Sequence, residues 1–350
     1  MGVPLVFCIV EFARRRGDTH RLVMLTILLG LLIGVLGITS AQWSDKSAIL
    51  KPVLDLLPTI RNFPGAAKGF NVNEIAGAMA WLLPLAAGVA IYSWRHPDDA
   101  GSPRRFYATL TFFVLFFALF LGQSRLAIFG IVVALAILIF ALIPANKWRI
   151  MALIGLVAFS VIEIVLFIGV FSPDESLEAR DEASLNSRIY IWQSAVEMIS
   201  DYPLTGVGMN KYRLTPVRIR YPVEGYANRI LPHAHNEWLQ IGADLGIPGM
   251  LLLAGWHLLA LYMSVRVWQR GDAYARMVAV SLLAGLVAHD AFGMGDAVTL
   301  WDRFSFVFWL LIGLTAAQYV VTVKLAQKST SEQPIHHTTA SGAASSAVAT

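Results

Sequence analysis

"LGQSRLAIFGIVVALAILIFALIPANKWR" (residues 121–149) decides the class of fold. From Leu126 to Ala145 it holds no charged residue, with Arg125 at one end and a Lys-Trp-Arg cluster at the other. A helix needs about 20 apolar residues to cross a hydrocarbon core, and this stretch meets that length. The whole chain agrees: of 350 residues 57% are hydrophobic and only 14% charged, and the mean hydropathy is +0.62. Such values lie outside the soluble globular range and indicate an all-α polytopic membrane protein. The same length rule predicts spans over 22–40, 72–93, 106–122, 125–143, 150–171, 248–266, 276–296 and 304–323. Met1 to Ala13 is too short to cross alone and reads as the end of a span that begins upstream. No small-residue cleavage site follows it, so no cleavable signal peptide is expected. The single cysteine, Cys8, rules out an intramolecular disulfide and a cysteine metal cluster.

Charge gives the orientation. If the spans alternate, "ARRRGDTHR" (13–21), "WRHPDDAGSPRR" (94–105), "ANKWR" (145–149), "RVWQRGDAYAR" (266–276), Lys324 and Lys328 all fall on one side. Excess Lys and Arg in short loops marks the cytoplasmic side. Residues 41–71 and 172–247 then lie outside. The longer of these opens with the acidic "PDESLEARDE" (173–182) and continues with "SLNSRIYIWQSAVEMISDYP" (184–203). There Leu185, Ile189, Trp192, Val196 and Ile199 predict an amphipathic helix. Ser184, Asn186 and Ser187 are its candidate caps, and Pro203 lies beyond its end. "PLTGVG" (203–208) reads as a turn. The chain divides into a transmembrane domain, 1–324, and a polar, aperiodic tail, 325–350, expected to be disordered in the cytoplasm.

The outer loop ends in "PHAHNEWLQIGADLGIPG" (232–249). Asn236 suits a helix cap and Glu237 a first turn, while Gly246 ends one helical segment and Pro248 starts the next. His235 then sits at the positive end of a helix. Dipole and nearby arginines favour a neutral imidazole able to accept a proton, whereas Glu237 pulls the other way. The competing reading makes His233 and His235 plain interfacial side chains. The His-x-His spacing also sets two metal ligands on one face of an extended strand. No third ligand stands close in sequence, so no metal is expected.

Arg125 follows "LGQS" in a tight outer hairpin, where positive charge is least expected, and Arg188 lies near the start of the loop helix. Arginine stays charged and grips phosphate through parallel hydrogen bonds, and a helix start adds free N–H donors. Arg213, Arg218, Arg220 and Arg229 read instead as partners of headgroups or of the acidic run. In "KGFNVNEIAGAMAWLLPLAAG" (68–88), Asn71, Asn73 and Glu74 either bind sugar hydroxyls or cap the helix. Glu163, His289 and Asp290 are costly within a membrane and need partners or a water-filled cavity. His289 and Asp290 fall in the outer half of their span; Glu163, nearer the middle, has no assigned role. No Walker loop, G-x-S-x-G, H-E-x-x-H or outer D-x-D occurs, which argues against nucleotide hydrolysis, serine hydrolysis and zinc proteolysis.

In order, "GFNVNEIAGAMAWLLPL", "GQSRLAIFGIVVALAIL", "SRIYIWQSAVEMISDYPLTGVGMNKY" and "AHNEWLQIGADLGIPGMLLL" resemble the motifs of the O-antigen ligase and polymerase-like family of bacterial glycosyltransferases. The resemblance runs from about residue 68 to 266 and on towards 323. The sequence departs from the pattern at Asp244, where the family usually has Glu, and in having fewer spans before the first motif. The resemblance implies a GT-C-like helical bundle in the bacterial inner membrane with its active site in the periplasmic loop. It implies inverting, metal-independent transfer of a glycan from a polyprenyl-diphosphate donor to lipid A–core. A polymerase or a protein transferase shares the same donor chemistry, and a transporter of lipid-linked glycans is the rival from another class. His235 is the expected general base, with Arg125 and Arg188 stabilising the diphosphate. Substrate-binding candidates are Asn71, Asn73, Trp192, Asn210, His233, Asn236 and His289. Membrane lipids are expected as neighbours; no cofactor and no nucleic acid is expected.

Overall fold

The computed structural model describes residues 2–42, 50–58, 60–63, 66–170, 185–223, 231–298 and 302–325. Its long helices are α1 (Gly2–Arg16), α2 (His20–Ser40), α4 (Val72–Arg95), α5 (Pro97–Gly122), α6 (Arg125–Leu142) and α7 (Lys147–Val170). After these come α8 (Leu185–Asp201), α10 (Glu237–Arg270), α11 (Ala273–Gly293) and α12 (Phe306–Tyr319). Two short helices, α3 (Lys51–Leu54) and α9 (Thr215–Arg220), lie in the connecting segments. Strands β1 (Ala41–Gln42) and β2 (Phe70–Asn71) pair in parallel and tie the end of α2 to the start of α4. Among the described residues, seven helices are long and apolar enough to cross a membrane. The remaining expected span, 150–171, overlaps α7, a helix of 24 residues that is not among those seven.

Helix α4 is the hub and is buried along nearly all of its apolar length. It packs on α2, α5, α6, α11 and α12. In a bilayer no hydrophobic force drives helices together, so close packing between small residues does the work. Gly88 lies against Ser281, Gly285 against the Trp81 carbonyl, and Gly130 against the Ala288 backbone. A side chain at any of the three would push α11 off its neighbours. Helix α1 lies along α12, where Gly313 meets Ile9.

The basic loops gather at one end of the bundle. Arg95 bonds the Leu142 carbonyl, Arg149 Nε donates to the Ile143 carbonyl at 2.8 Å, and Arg104 lies over Tyr274, which stacks on His20. The opposite end holds β1, β2, the α5–α6 hairpin and the described residues of the connection between α7 and α10, 185–223 and 231–236. Part of that connection forms a second core with the start of α10: Ile191, Ala195, Met198, Tyr212, Tyr221, Leu231 and Ala234, with Ala243 from α10.

Two expectations need correction. The expected helix forms, but its predicted stripe is split: Ile189 and Val196 are 39% and 49% exposed and Trp192 and Ile199 half-buried, whereas Ile191, Ser194, Ala195 and Met198 are buried. The face that packs is the one turned to Tyr212, Tyr221 and Ala243. Second, the span expected to reach residue 296 stops at Gly293, and Met294 and Gly295 form a turn. The acidic run 173–182, Ser184, Arg229, the tail beyond 325 and the side chains of Glu163, Asn186 and Ser187 lie outside the described residues.

Candidate functional site

The start of α10 is built from its own sequence. Asn236 caps the helix, its Oδ1 accepting from Leu239 N–H at 3.0 Å, and its Nδ2 donates to the Met294 carbonyl at 3.2 Å. Gly246 (φ 71°, ψ −170°) breaks the helix, as the sequence predicts. The carbonyls left free at that break are taken by the "PLTGVG" turn: Val207 N–H donates to Ala243 at 2.8 Å and Gly208 N–H to Asp244 at 3.2 Å. Gln240 holds the histidine segment, accepting from Ala234 N–H at 2.7 Å while donating to Asp244 Oδ2 at 2.8 Å.

His235 occupies the left-handed region (φ 47°), an uncommon place for a residue with a side chain. Its backbone is held from both sides. Trp192 Nε1 donates to the His235 carbonyl at 3.2 Å, and His235 N–H donates to His233 Nδ1 at 3.2 Å. Both imidazoles face one carboxylate: Asp296 Oδ1 lies 3.5 Å from His235 Nδ1 and 3.6 Å from His233 Nε2. His235 Nδ1 is buried without a hydrogen-bond partner among the described residues. At 3.5 Å its contact with Asp296 is therefore better taken as electrostatic than as a formed bond.

Burial pushes the His233 imidazole down to about 4, against the opposing pull of Asp296. Burial alone would raise Asp296; the facing imidazoles of His235 and His233 outweigh it and hold the carboxyl below its usual range. Asp296 therefore stays anionic at neutral pH. A carboxylate facing Nδ1 favours the tautomer with its proton there, which leaves His235 Nε2 as the acceptor.

The turn that carries Asp296 also receives an arginine. A Cβ on Gly295 would lie 3.0 Å from Arg188 Nη1 and would clash with Leu126 Cδ1. Arg125, at the start of α6, is near enough to Arg188 for the two charges to interact. Residues 294–296 thus touch, in turn, Asn236, Arg188 and the two histidines.

The other sequence candidates fall elsewhere. Asn71 caps α4, accepting from Asn73 N–H at 2.8 Å. Glu74 pairs with Arg303 at 3.1 Å. Asn210 is exposed and accepts from Arg213 Nε at 2.8 Å, and the charge of Arg213 reaches His233. His289 is buried between helices. Its Nε2 meets Glu237 Oε2 at 2.7 Å, its Nδ1 meets the Gly77 carbonyl at 3.0 Å, and its ring stacks on Trp81 at 3.5 Å. Glu237 thus turns to His289, and Asp290 pairs with His257 at 3.2 Å.

Asp296 is the residue that sequence reasoning missed. It also changes the metal question: a third ligand, absent nearby in sequence, arrives from the turn after α11. One atom each of His233, His235 and Asp296 lie within 4.8 Å of one another.

Fold and site define a polytopic all-α membrane protein with a histidine–carboxylate cluster and two arginines at one end of its bundle. Residues 110–254 match the family model described as O-antigen ligase, and the chain is O-antigen ligase-like over that span. That family is enzymatic, of ligase or glycosyltransferase type. The matched span carries Arg125, Arg188, Trp192 and His235; Asp296 lies beyond it. A search among curated proteins gave no match.

Proposed function

We propose that the protein is an inverting, metal-independent glycosyltransferase that moves a glycan from a polyprenyl-diphosphate carrier to lipid A–core on the periplasmic face of the inner membrane. The observation that carries this reading is the convergence on one turn: Asp296 faces His235 at 3.5 Å, and the preceding Gly295 makes room for Arg188.

The acceptor hydroxyl oxygen attacks the anomeric carbon and its proton passes to His235 Nε2, a role worth about 10²–10⁴-fold. Asp296 stabilises the imidazolium that forms. The bond from the anomeric carbon to the phosphate oxygen breaks, and its electron pair stays on the departing diphosphate. Arg188 and Arg125 stabilise that charge as it develops. The exposed apolar flank of α8, with Ile189 and Val196, suits a loop that rests on the bilayer where the donor lipid is held.

The test is transfer from a polyprenyl-diphosphate glycan to lipid A–core by the purified protein. His235→Ala is expected to bind donor but lose about 10²-fold or more in turnover. A variant that keeps its rate sinks His235 as base. Retained flux of lipid-linked glycan across vesicles, with no transfer, would make the protein a transporter. Deleting the gene separates acceptors: long chains left on the carrier indicate a ligase, and lipopolysaccharide with single repeat units indicates a polymerase.

A further inference from the structure

The His233, His235 and Asp296 cluster has a use that transfer does not call for. We infer that these three side chains form a binding site for a divalent cation of the zinc class, and that its occupation switches the proposed transferase off.

The geometry carries the inference. Zinc takes imidazole nitrogen and carboxylate oxygen at about 2.0–2.1 Å in a tetrahedron, which sets neighbouring ligand atoms about 3.3 Å apart. Here Asp296 Oδ1 lies 3.6 Å from His233 Nε2 and 3.5 Å from His235 Nδ1. All three donor atoms fit within 4.8 Å, so little movement closes them on an ion, with a fourth position left for water. The donors are largely enclosed: the side chains of Asp296, His233 and His235 are 6%, 17% and 29% exposed. The buried His235 Nδ1, without a hydrogen-bond partner among the described residues, would gain one in the metal. Two contacts support the donors, Ala297 N–H on Asp296 Oδ1 at 2.9 Å and Trp192 Nε1 on the His235 carbonyl at 3.2 Å. Binding gives up the 3.2 Å bond from His235 N–H to His233 Nδ1, because the His233 proton must move to that nitrogen.

The effect on function follows from the tautomer and rests on the proposed role of His235. An imidazole bound to metal through Nδ1 carries its proton on Nε2. His235 then has no lone pair for the acceptor proton, and the carboxylate that would steady an imidazolium is engaged with the metal. Soft and borderline ions that favour imidazole bind here; Mg²⁺ and Ca²⁺, which favour oxygen, do not.

The experiment uses the full chain in detergent, stripped with chelator and desalted. Co²⁺ and Zn²⁺ are titrated in turn, followed by visible absorption and by bound metal per chain. The expected result is a four-coordinate Co²⁺ spectrum displaced by one equivalent of Zn²⁺, with that equivalent lost in both His233→Gln and Asp296→Asn. The paired histidines at 336 and 337 make the difference between wild type and variants the decisive reading. Wild type that gives no four-coordinate Co²⁺ spectrum, or variants that keep the full metal count, overturn the site, and the wild-type spectrum decides should a variant fail to fold. In the transfer assay, Zn²⁺ is expected to cut turnover by about 10²-fold or more. Unchanged transfer with the ion bound, or loss of transfer on chelation, overturns the switch. Absence of transfer under every condition would count against the transferase reading, while the metal titration would still stand or fall by itself.

Discussion

Asp296 Oδ1 faces His235 Nδ1 at 3.5 Å, across the join between the turn after α11 and the cap of α10. The pairing gives the imidazole a direction. Asp296→Asn keeps the shape but removes the charge, and its amide can bond the other tautomer. Turnover is expected to fall by about 10²–10⁴-fold with the donor KM nearly unchanged, because ground-state binding does not use the pair. A steady-state comparison at saturating donor checks it; a rate within a few fold of wild type would show that Asp296 does not orient the base.

Gly295 offers a test of Arg188 that leaves every charge in place. A methyl group there would press on Arg188 Nη1, 3.0 Å away, and on Leu126. Gly295→Ala is therefore expected to lower turnover about tenfold or more, since small misplacements at a reacting centre are costly. Arg188→Lys keeps the charge and loses the bidentate fork, and should fall further. If both variants transfer at the normal rate, Arg188 lies outside the site.

How much of this was legible beforehand differs from element to element. The spans were legible because a run such as 126–145 leaves no alternative in length or polarity. The cap at Asn236 and the break at Gly246 were legible because they are local chemistry. The face of α8 was not: a helix beside a bilayer keeps apolar residues such as Ile189 and Val196 exposed, so apolar periodicity no longer points inward. Asp296 was hidden for a related reason. The apolar run continues past Gly293, so the helix end is masked, and the carboxylate meets its histidines only through the packing of α10 on α11.

Acid should expose the burial of His233. Its folded pKa, about 4, lies below the ordinary 6.5 because burial penalises the charged ring. Between those values the unfolded chain holds a proton that the folded chain does not. The stability contributed by a neutral His233 is thus fully present above pH 6.5 and is lost as pH falls towards 4. The loss is on the order of 3 kcal/mol at most. His233→Gln cannot charge and should flatten the fall in melting midpoint between pH 7 and 4.5. Equal slopes for variant and wild type would mean that the ring is hydrated in the folded protein.

The Glu237–His289 pair joins α10 to α11, and through the Gly77 carbonyl and Trp81 to α4. Neither group suits a membrane interior alone, and each satisfies the other. Glu237→Leu leaves His289 Nε2 buried without its acceptor, at a cost of about 1–3 kcal/mol. Glu237→Leu combined with His289→Leu removes both needs at once. The double variant is expected to lose less than the sum of the single ones, and a double-mutant cycle on melting midpoints reads the difference. Strict additivity would show that the pair contributes nothing as a pair. Function supplies the second reading. Glu237 is the first residue of α10, next to the cap and two residues from His235, and the same side chain lies 3.0 Å from a Cβ built on Gly293. Loosening it moves the start of α10 against the turn that carries Asp296. Turnover should therefore fall in the Glu237→Leu protein even at temperatures where it is fully folded, with donor binding retained.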